Sequence, residues 1–266
     1  MSNIKIGFIG GGSMAYAIAE GLTASNKVIK NDIKICEISP DRREYLNSQE
    51  YVTTVNISEL SECEIVFLAV KPIHAINVIK EFSQYNTEKC NIISIVAGLS
   101  TQKLCENTNC GVIRIMPNTP TLVGEGMFAI SNDYTASSDV LDTVTDMLSA
   151  IGLVSIVPSR LMDAVTAISG SGPAYVFMFI DAMINAGVRI GLTRAQATEL
   201  TLQTIKGATE MAKQSDLSPS DLKDMVCSPG GTTIEAVYTL EKGGFNALIM
   251  DAIKKCEEKS RALSGK

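Results

Sequence analysis

Short apolar runs alternate with helical patterns through the first half of the chain, and helical patterns alone fill the second. IKIGFIG (4–10) reads as a buried strand and SMAYAIAEGLTAS (13–25) as the helix after it. DIKICEI (32–38) predicts a second strand. SPDRREYL then opens a helix with Ser39 as N-cap and Pro40 at the first helical position, where a missing N–H leaves nothing unpaired. CEIVFLAV (63–70), NIISIVAG (91–98) and CGVIRIMP (110–117) are further apolar runs bounded by turn residues. Strands alternating with helices imply βαβ units and a mainly parallel sheet.

The pattern changes after about residue 157. From PSRLMDAVTAISG onward the text is helical, with glycine and proline punctuation and no convincing strand. Thr193 and Gln196 form a capping box opening RAQATELTLQTIKGATEMAKQ, Ser218-Pro219 opens another helix, and FNALIMDAIKKCEEKSRALS closes the chain as an amphipathic one. The expected fold class is therefore α/β. A Rossmann-type doubly wound sheet over residues 1–157 precedes an all-helical domain over 158–266. The most apolar stretch, 174–192, carries Asp181, Asn185 and Arg189 at every fourth position, on one helical stripe. A helix apolar on the rest of its circumference fits a helical core or a subunit interface, and its polar stripe argues against a membrane span.

Composition narrows the partners. The chain has 266 residues, 45% hydrophobic and 20% charged, with a net charge of -6. The sequence pI is about 5.0. An acidic chain without a Lys/Arg-rich run is expected to bind neither nucleic acid nor an anionic membrane surface. MSNIKIGFIGGG lacks a basic region ahead of a cleavable apolar stretch, and the seven cysteines include no Cys-x-x-Cys pair. A cytoplasmic protein with reduced thiols is the expectation. His74 is the single histidine, so no metal site built on histidine is expected.

Candidate chemistry begins at the first strand. Gly10-x-Gly12-x-x-Ala15 lies directly after a strand and leads into a helix. The first glycine permits a tight turn, the second lets a pyrophosphate approach the backbone, and Ala15 is small enough for helix–strand packing. After the second strand, Glu37 is placed to accept from a ribose 2′-OH, which favours NADH. Ser39, Arg42 and Arg43 are placed to hold a 2′-phosphate, which favours NADPH. NADPH is the expectation and NADH stays open. Ligands of parallel sheets sit outside the carboxyl ends of the strands, which selects Ala69, Val70, Lys71 and Pro72, then Val96, Ala97 and Gly98, then residues 116–120. Lys71 has two readings, a solvated strand-end lysine or a cofactor contact. Gly98 removes a side chain where a ligand could pass.

SPGGTTIEAV (228–237) repeats the glycine-before-helix arrangement near the other end of the chain. Gly230 and Gly231 leave backbone N–H groups uncovered ahead of Thr232 and Thr233, as an anion site at a helix N-terminus requires. The plainer reading is a capping box of Thr232 with Glu235. SGSGPAY (169–175) reads as another small-residue turn, leaving room for a small ligand.

Taken in order, GFIGGGSMA, AVKP, VAG, RIMPNTP, SGSGPAYVF and LKDMVCSPGGTTIEAVYTLE resemble the pyrroline-5-carboxylate reductase family from residue 4 to about 263. The resemblance implies reduction of the cyclic imine 1-pyrroline-5-carboxylate to L-proline by NAD(P)H, the last step of proline biosynthesis. It also implies a helical domain that interlocks in dimers, and often a decamer of five dimers. Carried over by position, the cofactor would meet Ile9, Gly10, Gly11, Gly12, Ser13, Met14, Ser39, Asn56, Ala69, Val70, Lys71, Pro72, Val96, Ala97 and Gly98. The substrate would meet Thr232 and Thr233. Glu37 departs from the small or neutral residue common in the family. Thr233 is the candidate catalytic hydroxyl, hydrogen-bonding the imine nitrogen. Two other readings are a β-hydroxyacid dehydrogenase-like oxidoreductase, which would need a lysine in the helix after SGSGPAY, and a non-enzymatic NADPH-binding regulator.

Overall fold

The computed structural model describes residues 5–85 and 89–264. Ile4, the first residue of the expected first strand, lies outside them. The described chain divides into two compact units, Met1–Pro173 with Cys256–Lys266, and Ala174–Lys255.

The first unit contains the sheet. Along the chain it runs β1 (Ile6–Ile9), α1 (Ser13–Ala24), β2 (Ile33–Cys36), α2 (Pro40–Ser48), β3 (Val52–Thr54), β4 (Ile65–Leu68), α3 (Pro72–Phe82), β5 (Asn91–Ser94), α4 (Thr101–Cys105), β6 (Gly111–Met116), β7 (Gly126–Ser131), α5 (Ser138–Ser149) and β8 (Gly152–Val157). The spatial order is β3-β2-β1-β4-β5-β6-β7-β8. The first six strands are parallel in the order of a dinucleotide-binding fold, and the direction of winding reverses between β1 and β4. β7 then runs antiparallel to β6, and β8 parallel to β7. The observed strands are shorter than the apolar runs in the text. The residues after each strand leave the ladder and form loops at its carboxyl end.

Both faces of the sheet are covered, as continuous apolar strands require. Ile6, Phe8, Ile33, Ile35 and Phe67 form one face and pack with Leu22 of α1 and Val144 and Leu148 of α5. The Phe8 and Phe67 rings stack with centroids 4.8 Å apart. On the other face Val66, Leu68, Ile92 and Val112 meet Ile79 and Phe82 of α3 and Leu104 of α4.

α6 (Met162–Val165) leads through a π-helical turn, Thr166–Gly170, into α7 (Gly172–Arg189). SGSGPAY therefore spans the end of the π-turn and the first turn of α7, where the sequence reads as a turn between elements. Ser171 N–H reaches back five residues to the Thr166 carbonyl at 2.8 Å. Pro173 has no N–H to continue the ordinary ladder.

The second unit is helical: most of α7, then α8 (Arg194–Gln214), α9 (Pro219–Val226), α10 (Thr232–Lys242) and the first part of α11 (Phe245–Leu263). Thr193 with Gln196, and Ser218 with Asp221, form the capping boxes that open α8 and α9. Gly187 lets α7 and α8 approach closely, since a Cβ there would stand 2.9 Å from the Ala197 Cβ. Two residues of the expected polar stripe are joined, Asn185 donating to Asp181 at 2.9 Å, and Arg194 of α8 donates to Asn185 at 3.2 Å. No residue of α7 is buried within the chain, and Phe177, Met178 and Ile190 are well exposed. Among the described residues, 159–189 is the one helical stretch long and apolar enough to cross a membrane.

Candidate active site

The glycine turn lies beside the switch point. Gly10 takes φ +96°, a conformation that favours glycine, and a Cβ there would stand 2.8 Å from the Ala69 carbonyl oxygen. At Gly12 a Cβ would meet nothing within 4 Å, so the backbone is open to a close-lying group. Gly12 is also the N-cap of α1, and no side chain caps that helix. Its first N–H groups and the positive end of its dipole suit a pyrophosphate, so the residues present fit a dinucleotide.

The end of β2 is tied to this turn. One carboxylate oxygen of Glu37 accepts from Gly11 N–H at 2.8 Å, the other from Ser39 N–H at 2.8 Å. Arg42 Nε donates to the Gly11 carbonyl at 2.5 Å, and its guanidinium lies over the Tyr45 and Tyr16 rings, 4.7 and 5.6 Å from their centroids. A hydrogen bond with Tyr45 and burial push the Tyr16 hydroxyl up to about 12, so the ring stays neutral. Arg43 donates to the carbonyls of Glu37 and Ile38. The two arginines named for a 2′-phosphate thus also hold the backbone around the turn. No pattern in the amino-acid order marks the tyrosine pair.

The remaining expected cofactor residues fall on the neighbouring carboxyl ends. Ile9 ends β1; Ser13 and Met14 begin α1; Ser39 caps α2 by accepting from Arg42 N–H. Asn56 caps the short turn after β3. Ala69 and Val70 follow β4, Lys71 is the N-cap of α3, and Pro72 is its first residue. Val96, Ala97 and Gly98 follow β5. His74 is exposed on α3.

The second glycine turn belongs to the other unit. Gly230 takes φ +66°. Gly231 is the N-cap of α10, and a Cβ on it would collide with the Ser228 hydroxyl. Thr232 is therefore the first helical residue rather than the cap, and the capping box with Glu235 does not form. α10 begins with bare backbone N–H groups beside an exposed Thr232 and a half-buried Thr233. Among the described residues, no group of three His, Cys, Asp or Glu side chains is arranged to hold a metal ion.

A parallel sheet of this order, with a bare glycine turn at its switch point and a helical unit after it, defines an oxidoreductase of the nicotinamide-dinucleotide class. Residues 5–98 match a family model described as NADP oxidoreductase, coenzyme F420-dependent, and residues 159–263 match one described as pyrroline-5-carboxylate reductase dimerisation. A pyrroline-5-carboxylate reductase of Escherichia coli (strain K12) is 39% identical over 98% of both chains. One from Synechocystis is 40% identical over 99% of this chain and 100% of its own. The crystal structure of Plasmodium falciparum pyrroline carboxylate reductase with NADP bound superposes with a TM-score of 0.90, at 37% identity and 99% coverage of both chains. The chain belongs to the pyrroline-5-carboxylate reductase family. Self-association and a small-molecule substrate go with that membership.

Proposed function

We propose that the protein reduces 1-pyrroline-5-carboxylate to L-proline, with the glycine turn after β1 holding NADPH, or NADH, and the turn before α10 holding the substrate. The observation that carries this assignment is the start of α10. Two glycines and no side-chain cap leave an anion-binding helix terminus with hydroxyls at its rim.

The bound dinucleotide supplies the hydride. The chain's own residues bind and orient. A cyclic imine is electrophilic once protonated, so neither a metal nor a strong base is required, and most of the acceleration comes from fixing two molecules in position. The N–H groups at the start of α10 dock the carboxylate. Gly230 and Gly231 keep that approach bare, and Thr232 adds a hydroxyl. Thr233 Oγ hydrogen-bonds the imine nitrogen and so orients the ring. The cofactor rests on residues 9–14, Ser39, Arg42, Asn56, residues 69–72 and residues 96–98. A β-hydroxyacid dehydrogenase would need a lysine on α7, which has none.

The domain assignment is residues 1–157 for cofactor and 158–266 for substrate and self-association; the last strand ends at Val157, while the compact units differ from that boundary in keeping residues 158–173 and Cys256–Lys266 with the sheet. The assembly is a dimer formed by the helical half, extended to a decamer, and the exposed apolar side chains of α7 support this. The protein acts in the cytoplasm, away from membranes and nucleic acid, in keeping with its net charge of -6. Loss of near-ultraviolet nicotinamide absorbance on adding pyrroline-5-carboxylate tests the activity. A protein that binds NADPH yet leaves the imine untouched would make the regulator reading correct.

A further inference from the structure

The last turn of α11 is built into the sheet-bearing unit beside the segment that follows β5, and the buried Asp163 holds it there. Arg114 lies in β6 with Ser94 of β5 as its register partner. Its side chain is 2% exposed, and its Nε has no hydrogen-bond partner among the described residues. An arginine is costly to place there: burial lowers its pKa, and Asp163 and Asp133 oppose that fall.

Both carboxylates are also held by hydroxyl groups. Asp133 accepts from Ser131 at 2.6 Å, Ser159 at 2.7 Å and Thr101 at 2.8 Å. Asp163, 3% exposed, accepts from Ser260 at 2.8 Å and Ser264 at 3.3 Å. Lys103 of α4 then donates to the Ser264 carbonyl at 3.2 Å. The Ser264 hydroxyl shares its proton with the Ser260 carbonyl at 3.0 Å, so Ser260 is the main anchor on one side and the Ser264 carbonyl, held by Lys103, is the anchor on the other. Between these anchors lies Leu263. Its carbonyl carbon and oxygen would stand 3.5 Å from a Cβ on Gly98. That is ordinary van der Waals contact for the added atom, so the open side of Gly98 has the width of about one methyl group before it meets the chain's own backbone at Leu263.

We propose that Ser260 and Ser264, held by Asp163 over the buried Arg114, are positioning residues for the dinucleotide. They fix Leu263 against Gly98 and thereby set the course of residues 96–98 at the carboxyl end of β5. The hydroxyls touch no reactant; they act through the backbone of Leu263. Networks of this kind modulate binding at a site they do not contact when they bias the arrangement of one packed element. The inference rests on the assignment of residues 96–98 to the cofactor.

The experiment compares the unmodified protein with Ser260→Ala/Ser264→Ala. It measures NADPH affinity by titration of nucleotide fluorescence, the KM for pyrroline-5-carboxylate, and hydrogen exchange of residues 96–98. The double variant is expected to weaken NADPH binding by roughly 2- to 30-fold. Exchange at 96–98 should rise while the KM for the imine holds, and Ser260→Thr, which keeps the hydroxyl, should bind NADPH as the unmodified protein does. Unchanged NADPH affinity alongside a lowered melting temperature would make the serines a helix anchor only and overturn the inference. Losses of equal size for cofactor and imine would overturn it too. Should the double variant not fold, Lys103→Met removes the outer anchor alone and is judged by the same outcomes. An unmodified protein that binds neither NADPH nor NADH would sink the functional assignment as well, so the two failures are distinguishable.

Discussion

Glu37 accepts a hydrogen bond from the Gly11 N–H at 2.8 Å, so a carboxylate from the end of β2 is fixed on the glycine turn. Glu37 accepts from Ser39 N–H as well, at 2.8 Å, so its carboxylate lies beside the residues assigned to a 2′-phosphate, Ser39 and Arg42. A carboxylate there repels a phosphate brought to the same residues. Glu37→Gln should therefore raise the ratio of NADPH to NADH efficiency by about tenfold, the ratio that ~1.4 kcal/mol represents. An unchanged ratio of kcat/KM values would show that Glu37 serves the turn alone.

Arg42 has two duties in the structure. It donates to the Gly11 carbonyl, and its charged face lies over Tyr45. NADPH is expected to be used at least as efficiently as NADH. Arg42→Ala should lower kcat/KM for both cofactors, because the turn loses a support, and should cost NADPH roughly tenfold more, because a charge-assisted contact to phosphate goes with it. Losses of the same size for both would mean that Arg42 supports the turn and does not read the phosphate.

Much of this layout is legible in the amino-acid order, for reasons that differ by element. β1, β2, β4, β5 and β6 are largely apolar runs, broken by Lys34 in β2 and Arg114 in β6, because both faces of the sheet are covered, and the glycine spacing after β1 marks the turn. β3 is only Val52–Thr54 with Val52 exposed, too short to stand out as an apolar run. The π-turn at Thr166–Gly170 has the same glycine and serine composition as a loop. What separates them is one backbone hydrogen bond and the missing donor of Pro173. The start of α10 was open between a capping box and a bare terminus, since Thr232 sits one residue too late to cap. The meeting of Leu263 with Gly98 has no local signal, because it joins residues far apart in sequence.

The assembly prediction follows from exposed apolar surface. Phe177, Met178 and Ile190 on and just past α7, with Leu248 and Met250 on α11, are more than half exposed in the single chain. A surface of that kind marks an association face. Light scattering at micromolar concentration should give a mass at or above that of a dimer. A mass of 28.5 kDa, that of one chain, would contradict obligate association.

Asp133 gives the fold an acid-sensitive contact. Burial alone would raise its pKa, but hydroxyl donors from Ser131, Ser159 and Thr101 outweigh that and hold it below 3.8. A carboxyl depressed on folding stabilises the native state above its unfolded pKa. That contribution disappears as pH falls through the lower folded value. Denaturant unfolding of Asp133→Asn against the unmodified protein should therefore show a stability gap that is constant above about pH 3.8 and narrows below it. A gap that does not change with pH would mean that the charge of Asp133 contributes nothing.

The last prediction concerns the substrate's carboxylate. α10 starts without a side-chain cap, Gly230 is held at φ +66°, and a side chain on Gly231 would displace the Ser228 hydroxyl. A planar anion can reach the backbone N–H groups there, and docking it also fixes the imine ring, so binding and orientation share the same contacts. Unsubstituted 1-pyrroline lacks the anion and leaves those donors unpaired. Its kcat/KM should fall about 10- to 200-fold below that of pyrroline-5-carboxylate, as ~1–3 kcal/mol implies, or further. Thr233→Val should lower kcat/KM for the imine while NADPH affinity holds, because the hydroxyl is assigned to the substrate alone. If 1-pyrroline reacts as well as the carboxylate, the glycine turn is only a tight helix start. If Thr233→Val weakens NADPH and spares the imine, the start of α10 belongs to the cofactor instead.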